Sequence, residues 1–363
     1  MVSRRHRRIL SNMRERLLKV LRSRISGAPL TSAAIIVAAG FLAGVSVLWA
    51  SNTYFFIKSV GGPLSSPSVR LSQSEYPLIS PLLLCNASDQ RNFNQDSALA
   101  GKINGFVQDR VSKGAAEKMS VYLVNYQTGQ WAGVDEDERY DPASMLKVPL
   151  MVAFLKYAQS DPGILSQQLA FNGTDQNAGE YFKSSNGIQP GVSYSVDELL
   201  RDMIGYSDNN AAALLEQSID QTLLKEVYTD LGLPVPVKGP NIDYISVKSY
   251  ASFFRVLYNA TYLDYEYSEK ALELLALHDF PQGIESGVPA SVTVAQKFGE
   301  RSVYSQTGIL IDRELHDCGI VYKPGSPFLL CIMSRGQDFD VLAKNISDLS
   351  ALIYKNIGST ISP

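Results

Sequence analysis

The feature that most constrains this chain is a run of 33 consecutive residues, Ile25 to Ile57, that carries no charge. Its middle, Ala33 to Trp49, is almost wholly apolar, and about 20 such residues cross the hydrocarbon core of a bilayer as a helix. A buried helix in a globular core needs fewer, so residues 28–57 read as one transmembrane helix. Nine of the first 24 residues are Lys or Arg, against the single acid Glu15. By the positive-inside rule the basic tail, residues 1–27, stays in the cytoplasm and the rest of the chain lies outside. Trp49, Tyr54, Phe55 and Phe56 then fall at the outer interface. The competing reading is a cleaved secretory signal. The length of the tail, and Leu48-Trp49-Ala50 with no small residue two positions before the cleavage position, favour an uncleaved anchor. The expected location is therefore the cytoplasmic membrane, single-pass, with an extracytoplasmic body.

Residues 58–94 read as an extracellular linker, since Gly61, Gly62, Pro63, Pro67, Pro77, Pro81 and seven serines crowd its first 24 positions. Leu82 to Cys85 is apolar and already suits a place against the folded body. That body spans residues 95–363. The whole chain has 33 Lys+Arg and 36 Asp+Glu; without the first 24 residues, 24 basic face 35 acidic residues, a net charge of −11. So acidic a body repels a polyanion, which excludes nucleic acid as its partner. Cysteine is confined to Cys85, Cys318 and Cys331, in no metal-ligand spacing, so neither metal nor cofactor is expected. Cys318 and Cys331 flank a hairpin turning at Lys323-Pro-Gly-Ser326, which would set them opposite each other; a cross-strand disulfide and two buried free thiols both fit.

Periodicity predicts a helix over 97–112 and a β-hairpin from Met119–Asn125 and Gln130–Val134. Helices follow at Ser144–Gln159, Val196–Tyr206 behind a Ser195/Glu198 capping box, Asn210–Ile219 and Val247–Tyr258. Strand signals return near 290–298, 318–322 and 327–333. A last helix shows Leu342, Ile346, Leu349 and Ile353 on one face and stops at Gly358. The implied fold is α/β of the α+β type, an antiparallel sheet flanked by helices plus a separate all-helical lobe.

The chemistry centres on a lysine. From Pro142 to Leu155 the only charge is Lys147, in a helix apolar on nearly every side. A buried ammonium loses solvation, so its pKa falls and its neutral form can accept a proton. Ser144 lies one turn away, and this is the only Ser-x-x-Lys in the chain. A core helix whose lysine snorkels outward would look the same. His278 and His316 are the only histidines outside the tail, and neither sits in a recognisable triad setting. Between two predicted helices lies Gly205-Tyr-Ser-Asp-Asn-Asn210. Ser207-Asp208-Asn209 follows Ser-x-x-Lys in the order of a known three-part signature, Ser-x-x-Lys, Ser-Asp-Asn, Lys-Thr-Gly. The third part is altered. Lys297-Phe298-Gly299 keeps the cation and the glycine, whereas Ser305-Gln306-Thr307-Gly308 keeps Thr-Gly without the lysine; we align the former.

On these motifs the chain resembles the serine β-lactamase and penicillin-binding protein superfamily, and within it the class A β-lactamase catalytic domain, over roughly residues 95–360. The resemblance implies a β-lactamase/transpeptidase-like fold and a serine hydrolase that forms an acyl-enzyme with a β-lactam or a D-Ala-D-Ala peptidoglycan stem peptide. It further implies that Ser144 is the nucleophile, Lys147 its base, and Ser207 the proton relay to the leaving nitrogen. Asn209 would bind the substrate amide, Lys297 the substrate carboxylate, and Gly299 would admit the ligand to the strand. The N–H groups of Ser144 and Glu300 would form the oxyanion hole, and Asp208 would brace the turn. Phe298 lacks the hydroxyl of a Thr or Ser, a loss of about 1.5–3 kcal/mol of charge-assisted bonding to a carboxylate. Class A β-lactamases also carry a loop glutamate that activates the deacylating water. The stretch Leu231–Asp243 offers none, Asp243 being the one substitute, so acylation without efficient hydrolysis is expected, as in a D,D-carboxypeptidase or endopeptidase blocked by β-lactams. A sensor that binds without turnover is a further reading.

Overall fold

The computed structural model describes residues 76–80, 94–236 and 243–358. The basic tail, the predicted span over 28–57, most of the 58–94 linker and Cys85 lie outside the described residues. Among the described residues no helix is long and apolar enough to cross a membrane.

Five strands form one antiparallel sheet: β1 (Lys118–Asn125), β2 (Trp131–Val134), β7 (Val294–Tyr304), β8 (Leu310–Val321) and β9 (Phe328–Gly336), in the order β2-β1-β9-β8-β7. Period-two alternation sorts their side chains. Phe328, Leu330 and Ile332 of β9 face α1 (Ser97–Ser112) and α8 (Phe339–Asn356), where the predicted stripe Leu342, Ile346, Leu349 and Ile353 is fully buried. Leu329, Cys331 and Met333 face the helical lobe instead. With both faces covered, β9 is buried along nearly its whole length, which is why it reads as a continuous apolar run, and β8 is buried from Glu314 to Val321.

The helical lobe contains α2 (Lys147–Ala158), α3 (Val196–Gly205), α4 (Asn209–Ser218), α5 (Gln221–Asp230), α6 (Val247–Tyr258) and α7 (Tyr265–Ala276). All of α2 except Lys156 and Tyr157 is buried. Pro149 is tolerated there because it occupies the third helical position, where a backbone N–H has no partner within the helix. The expected capping box at Ser195 and Glu198 is formed at the start of α3. Two short antiparallel ladders, β3 (Arg139–Tyr140) with β6 (Ile245–Ser246) and β4 (Gln168–Phe171) with β5 (Val192–Ser195), pin the intervening loops.

Four features differ from the sequence reading. Ser144 sits in a 3-10 turn, Ala143–Leu146, that feeds α2. Helices α5 and α7 and the two short ladders were not anticipated. Strands β7 and β8 run on past Gly299 through Glu300, Arg301, Asp312, Arg313 and Glu314, whose charges hid the strand signal; in the fold Arg301 pairs with Asp141 at 2.7 Å, Glu314 with Arg335 at 2.6 Å and Asp312 with Arg335 at 3.5 Å, while Glu300 and Arg313 bond to backbone groups. Finally, part of the predicted linker belongs to the body. Glu269, buried on α7, accepts the N–H groups of Leu78 (2.9 Å) and Ile79 (3.0 Å), and Ile79 is buried in the lobe's core.

Cys318 of β8 lies directly opposite Cys331 of β9, and the two are joined as a disulfide closing a separation of 13 residues. Such a loop constrains the unfolded chain by roughly 3 kcal/mol. Thiol titration of the unreduced, denatured protein is therefore expected to find at most one thiol, Cys85, and to find three after reduction. Three thiols before reduction would contradict the bridge.

Candidate active site

The 3-10 turn that presents Ser144 is held from both sides. The N–H of Ala143, at φ 50°, donates to Asp141 Oδ1 at 3.0 Å, and the hydroxyl of buried Tyr250 donates to the Met145 carbonyl at 2.8 Å. A non-glycine residue at positive φ is strained, and such strain persists only where surrounding contacts impose it. The turn delivers Lys147 as the first residue of α2, buried to 5% exposure.

Four oxygens surround Lys147 Nζ: Ser207 O at 2.5 Å, Asn209 Oδ1 at 2.7 Å, Ser144 Oγ at 3.0 Å and Ser207 Oγ at 3.1 Å. Two of these are carbonyl oxygens, which can only accept. A neutral amine with its two protons on them keeps its lone pair for the Ser144 hydroxyl, which then donates. Burial makes that neutral form accessible, lowering the Lys147 pKa to about 8 against the opposing pull of Glu180, Asp208 and Glu300.

Ser207 occupies the sharp bend between α3 and α4, at φ 56°. Asp208 caps α4, with Oδ1 accepting from the N–H of Asn210 (2.7 Å) and from Asn177 Nδ2 (3.0 Å), and Oδ2 from the N–H of Ile188 (2.7 Å). Fully buried and so engaged, it braces the bend as expected. Lys297 enters from β7 and donates to Ser207 Oγ at 2.9 Å and to the Phe298 carbonyl at 3.0 Å. The Ser207 hydroxyl thus bridges the two lysines. Burial and the proximity of Lys147 hold the Lys297 pKa well below the usual lysine range.

At Gly299 a Cβ would lie 2.5 Å from the Pro142 carbonyl and 3.2 Å from the Met145 nitrogen, so the glycine lets β7 press against the turn that carries Ser144. Glu300 follows, its side chain turned to the cleft and its carboxylate accepting the N–H groups of Tyr181 (2.5 Å) and Phe182 (3.1 Å).

Those two residues belong to the loop between β4 and β5, which sequence reasoning did not connect with the site. The loop is fastened to α4 by Asn177 and Gln176, which engage the backbone N–H of Asn209 and the side chain of Asn210. It crosses to β7, where Phe182 packs edge-on against Phe280 and Phe298. Between these ends Glu180 Oε1 accepts from Asn209 Nδ2 at 2.7 Å. Burial raises the carboxyl pKa of both Glu180 and Glu300. Only the position of Glu180 ahead of Ser-Asp-Asn could have flagged it, and that carries little signal.

Ser144, Lys147, Asn209 and Glu300 line a cleft of about 640 Å³ whose other wall is Leu224, Tyr228, Val235, Pro236 and Tyr244. The alternative third-motif residue Gln306 is exposed in the β7–β8 turn, six residues and about 20 Å of strand beyond Glu300. Asp243 is bound to Arg335 at 2.8 Å and does not line the cleft. His316 is buried, with Nε2 3.0 Å from the Asp141 carbonyl, and burial depresses its pKa to about 4. His278, half-buried with its pKa likewise depressed to about 4, lies beside Gln296. Both are neutral structural residues.

Residues 99–357 match the model of the β-lactamase enzyme family. No curated protein sequence matches the chain. Among solved structures, PBP-A is similar with a TM-score of 0.59 at 19% identity, covering 72% of this chain and 96% of that one, and a point mutant of it is an acyl-enzyme complex with penicillin G. A β-lactamase from Sphaerobacter thermophilus is similar with a TM-score of 0.57 at 20% identity, covering 70% of this chain and 96% of that one. The class A β-lactamase of Mycobacterium abscessus gives 0.56 at 19%, covering 71% and 98%. With a two-lobed fold of that kind and a match across most of its length, the chain belongs to the β-lactamase enzyme family and is a β-lactamase-like serine hydrolase.

Proposed function

We propose that this chain is a membrane-anchored, extracytoplasmic acyl-serine enzyme that cleaves amides of the kind found in peptidoglycan stem peptides and β-lactams. The observation that carries the reading is the 3.0 Å contact between Ser144 Oγ and a buried Lys147 whose other partners are carbonyl oxygens and Ser207. In the first step Lys147 takes the Ser144 proton as Oγ attacks the carbonyl carbon, and the N–H groups of Ser144 and Glu300 receive the developing oxyanion. Ser207 then passes its hydroxyl proton to the leaving nitrogen and recovers one from Lys147, with Lys297 steadying the electron-rich oxygen between them. Asn209 orients Lys147 through Oδ1.

Anchoring is supported by the uncharged stretch from Ile25 to Ile57 and its basic flank.

Hydrolysis of the acyl-enzyme is expected to be slow. Of the carboxylates lining the cleft, Asp141 is held by Arg301, Glu300 accepts two backbone N–H groups, and Glu216 lies seven residues beyond Asn209, about 10 Å along α4. Glu180 is bound to Asn209. With each of these carboxylates, among the described residues, engaged elsewhere or set back from Ser144, we favour a penicillin-binding D,D-peptidase over an efficient β-lactamase. A pure binding module that never acylates would not need a buried lysine beside its serine. The acyl-enzyme that penicillin G forms with the PBP-A mutant supports the same adduct on Ser144.

Intact mass of the full-length protein with benzylpenicillin is expected to show one adduct that forms slowly and persists, and none in Ser144→Ala. An adduct that clears with release of penicilloate would contradict slow hydrolysis, and one retained by Ser144→Ala would contradict the nucleophile. In the same assay Lys297→Ala should slow acylation at least tenfold and Gln306→Ala less than twofold; a dominant Gln306 effect would overturn the alignment of the third motif.

A further inference from the structure

We infer that the subsite on the leaving-group side of the scissile bond, beside Ser207, Lys297 and Phe298, takes a neutral or cationic group rather than a carboxylate. The inference rests on the acyl-serine reading above and ranks its substrates: acyl donors whose leaving group has no free acid next to the bond that breaks react faster than those, such as benzylpenicillin, that carry one.

Three observations converge on it. The first is that Lys297 is deeply buried and has few protons to spare. Only 1% exposed, it spends two of its three protons on Ser207 Oγ (2.9 Å) and the Phe298 carbonyl (3.0 Å), and its ammonium lies 4.4 Å from the centre of the Phe298 ring. The second is that the neighbouring donor is missing. Phe298 has no hydroxyl, and its ring is stacked on Phe280 at 4.1 Å and capped by Phe182. The third is the sign of the charge that does face the site. Two residues beyond Phe298 on the same side of β7, Glu300 lines the cleft with its carboxylate, and Glu180 brings a second onto Asn209 Nδ2 at 2.7 Å.

The remaining cations of the cleft do not offset these. Arg301 is committed to Asp141 at 2.7 Å, and Lys225 stands on α5 in the opposite wall with Leu224 and Tyr228. A substrate carboxylate entering beside Ser207 would lose its water and meet the like charges of Glu300 and Glu180, with only the buried Lys297, already bonded to two oxygens, to offset them, which costs binding relative to a neutral group. An amide or an ammonium in the same place could donate to Glu300 or Glu180. An acyl donor whose leaving amine is already amidated or basic, as within a longer peptide chain, fits that chemistry.

The test uses three thioesters of one acyl group, N-acetyl-D-alanine, with the full-length protein in detergent micelles. The leaving thiols are thioglycolate, its neutral amide, and thiocholine; because these differ in thiol acidity as well as charge, each ester's kcat/KM is divided by its own rate of hydrolysis by hydroxide before comparison. Acylation of Ser144 is followed by thiol release and intact mass. The amide and thiocholine esters are expected to react at least tenfold faster than the thioglycolate ester in kcat/KM. Glu300→Gln is expected to raise the thioglycolate-to-amide ratio at least fivefold. The wild-type ratio decides even if the variant folds poorly. A thioglycolate ester that reacts as fast as the amide would overturn the inference while leaving the hydrolase reading intact. Equal acceleration of all three esters in Glu300→Gln would also overturn it, because release of the β4–β5 loop would then be the cause. No acylation by any ester would overturn the hydrolase reading on which the inference stands.

Discussion

The burial of one ammonium group governs this structure. Lys147 opens a helix whose other residues are almost all apolar, so its charge has no water to fall back on and only oxygen atoms of the protein to hold it. Those oxygens come from the turn before α2 and from the bend between α3 and α4, which explains why both segments are over-constrained. Tyr250 and Asp141 hold the first, and Asp208 holds the second from beneath. The positive φ at Ala143 and Ser207 is sustained by those contacts. A lysine that is costly to keep charged is also one that accepts a proton near neutral pH, so the feature that burdens the fold supplies its reactivity.

The sheet exists, in functional terms, to bring a second lysine to the same hydroxyl. Strand β7 is the sheet's edge, and Gly299 allows it to lie against the Ser144 turn closely enough for Lys297 to reach Ser207. Behind Lys297 in register is Cys318, itself bridged to Cys331, so the strand that backs the edge is covalently tied to the middle of the sheet. Helices α1 and α8 on one face and the lobe on the other leave that edge as the place where a ligand can meet the strand.

What could be read from the sequence follows from how strongly each residue contrasts with its surroundings. Lys147 stands out because it is the lone charge in an apolar helix, and Ser207 to Asn209 because they form a polar knot between two helices. The stripe on α8 and the hairpin around Lys323–Ser326 were legible for the same reason, a clean period bounded by a turn or a glycine. Glu180 was not legible, because a glutamate in a long polar loop differs in nothing from its neighbours until the loop is seen to cross the cleft. The far halves of β7 and β8 were hidden by charges that pair only in three dimensions, and α5 by having just Val227 and Tyr228 buried. The close packing of Gly299 against Pro142 is a tertiary contact with no local trace.

The account stands or falls on Lys147 acting as the base for Ser144. The most direct measurement is the pH dependence of Ser144 phosphonylation by an uncharged fluorophosphonate, which removes substrate recognition from the comparison. Because the neutral amine is the reactive form and burial places its pKa at about 8, the rate should rise with pH and level off above that value, and the rise should vanish in Lys147→Met. A rate that does not change with pH, or a rise that survives in Lys147→Met, would contradict it.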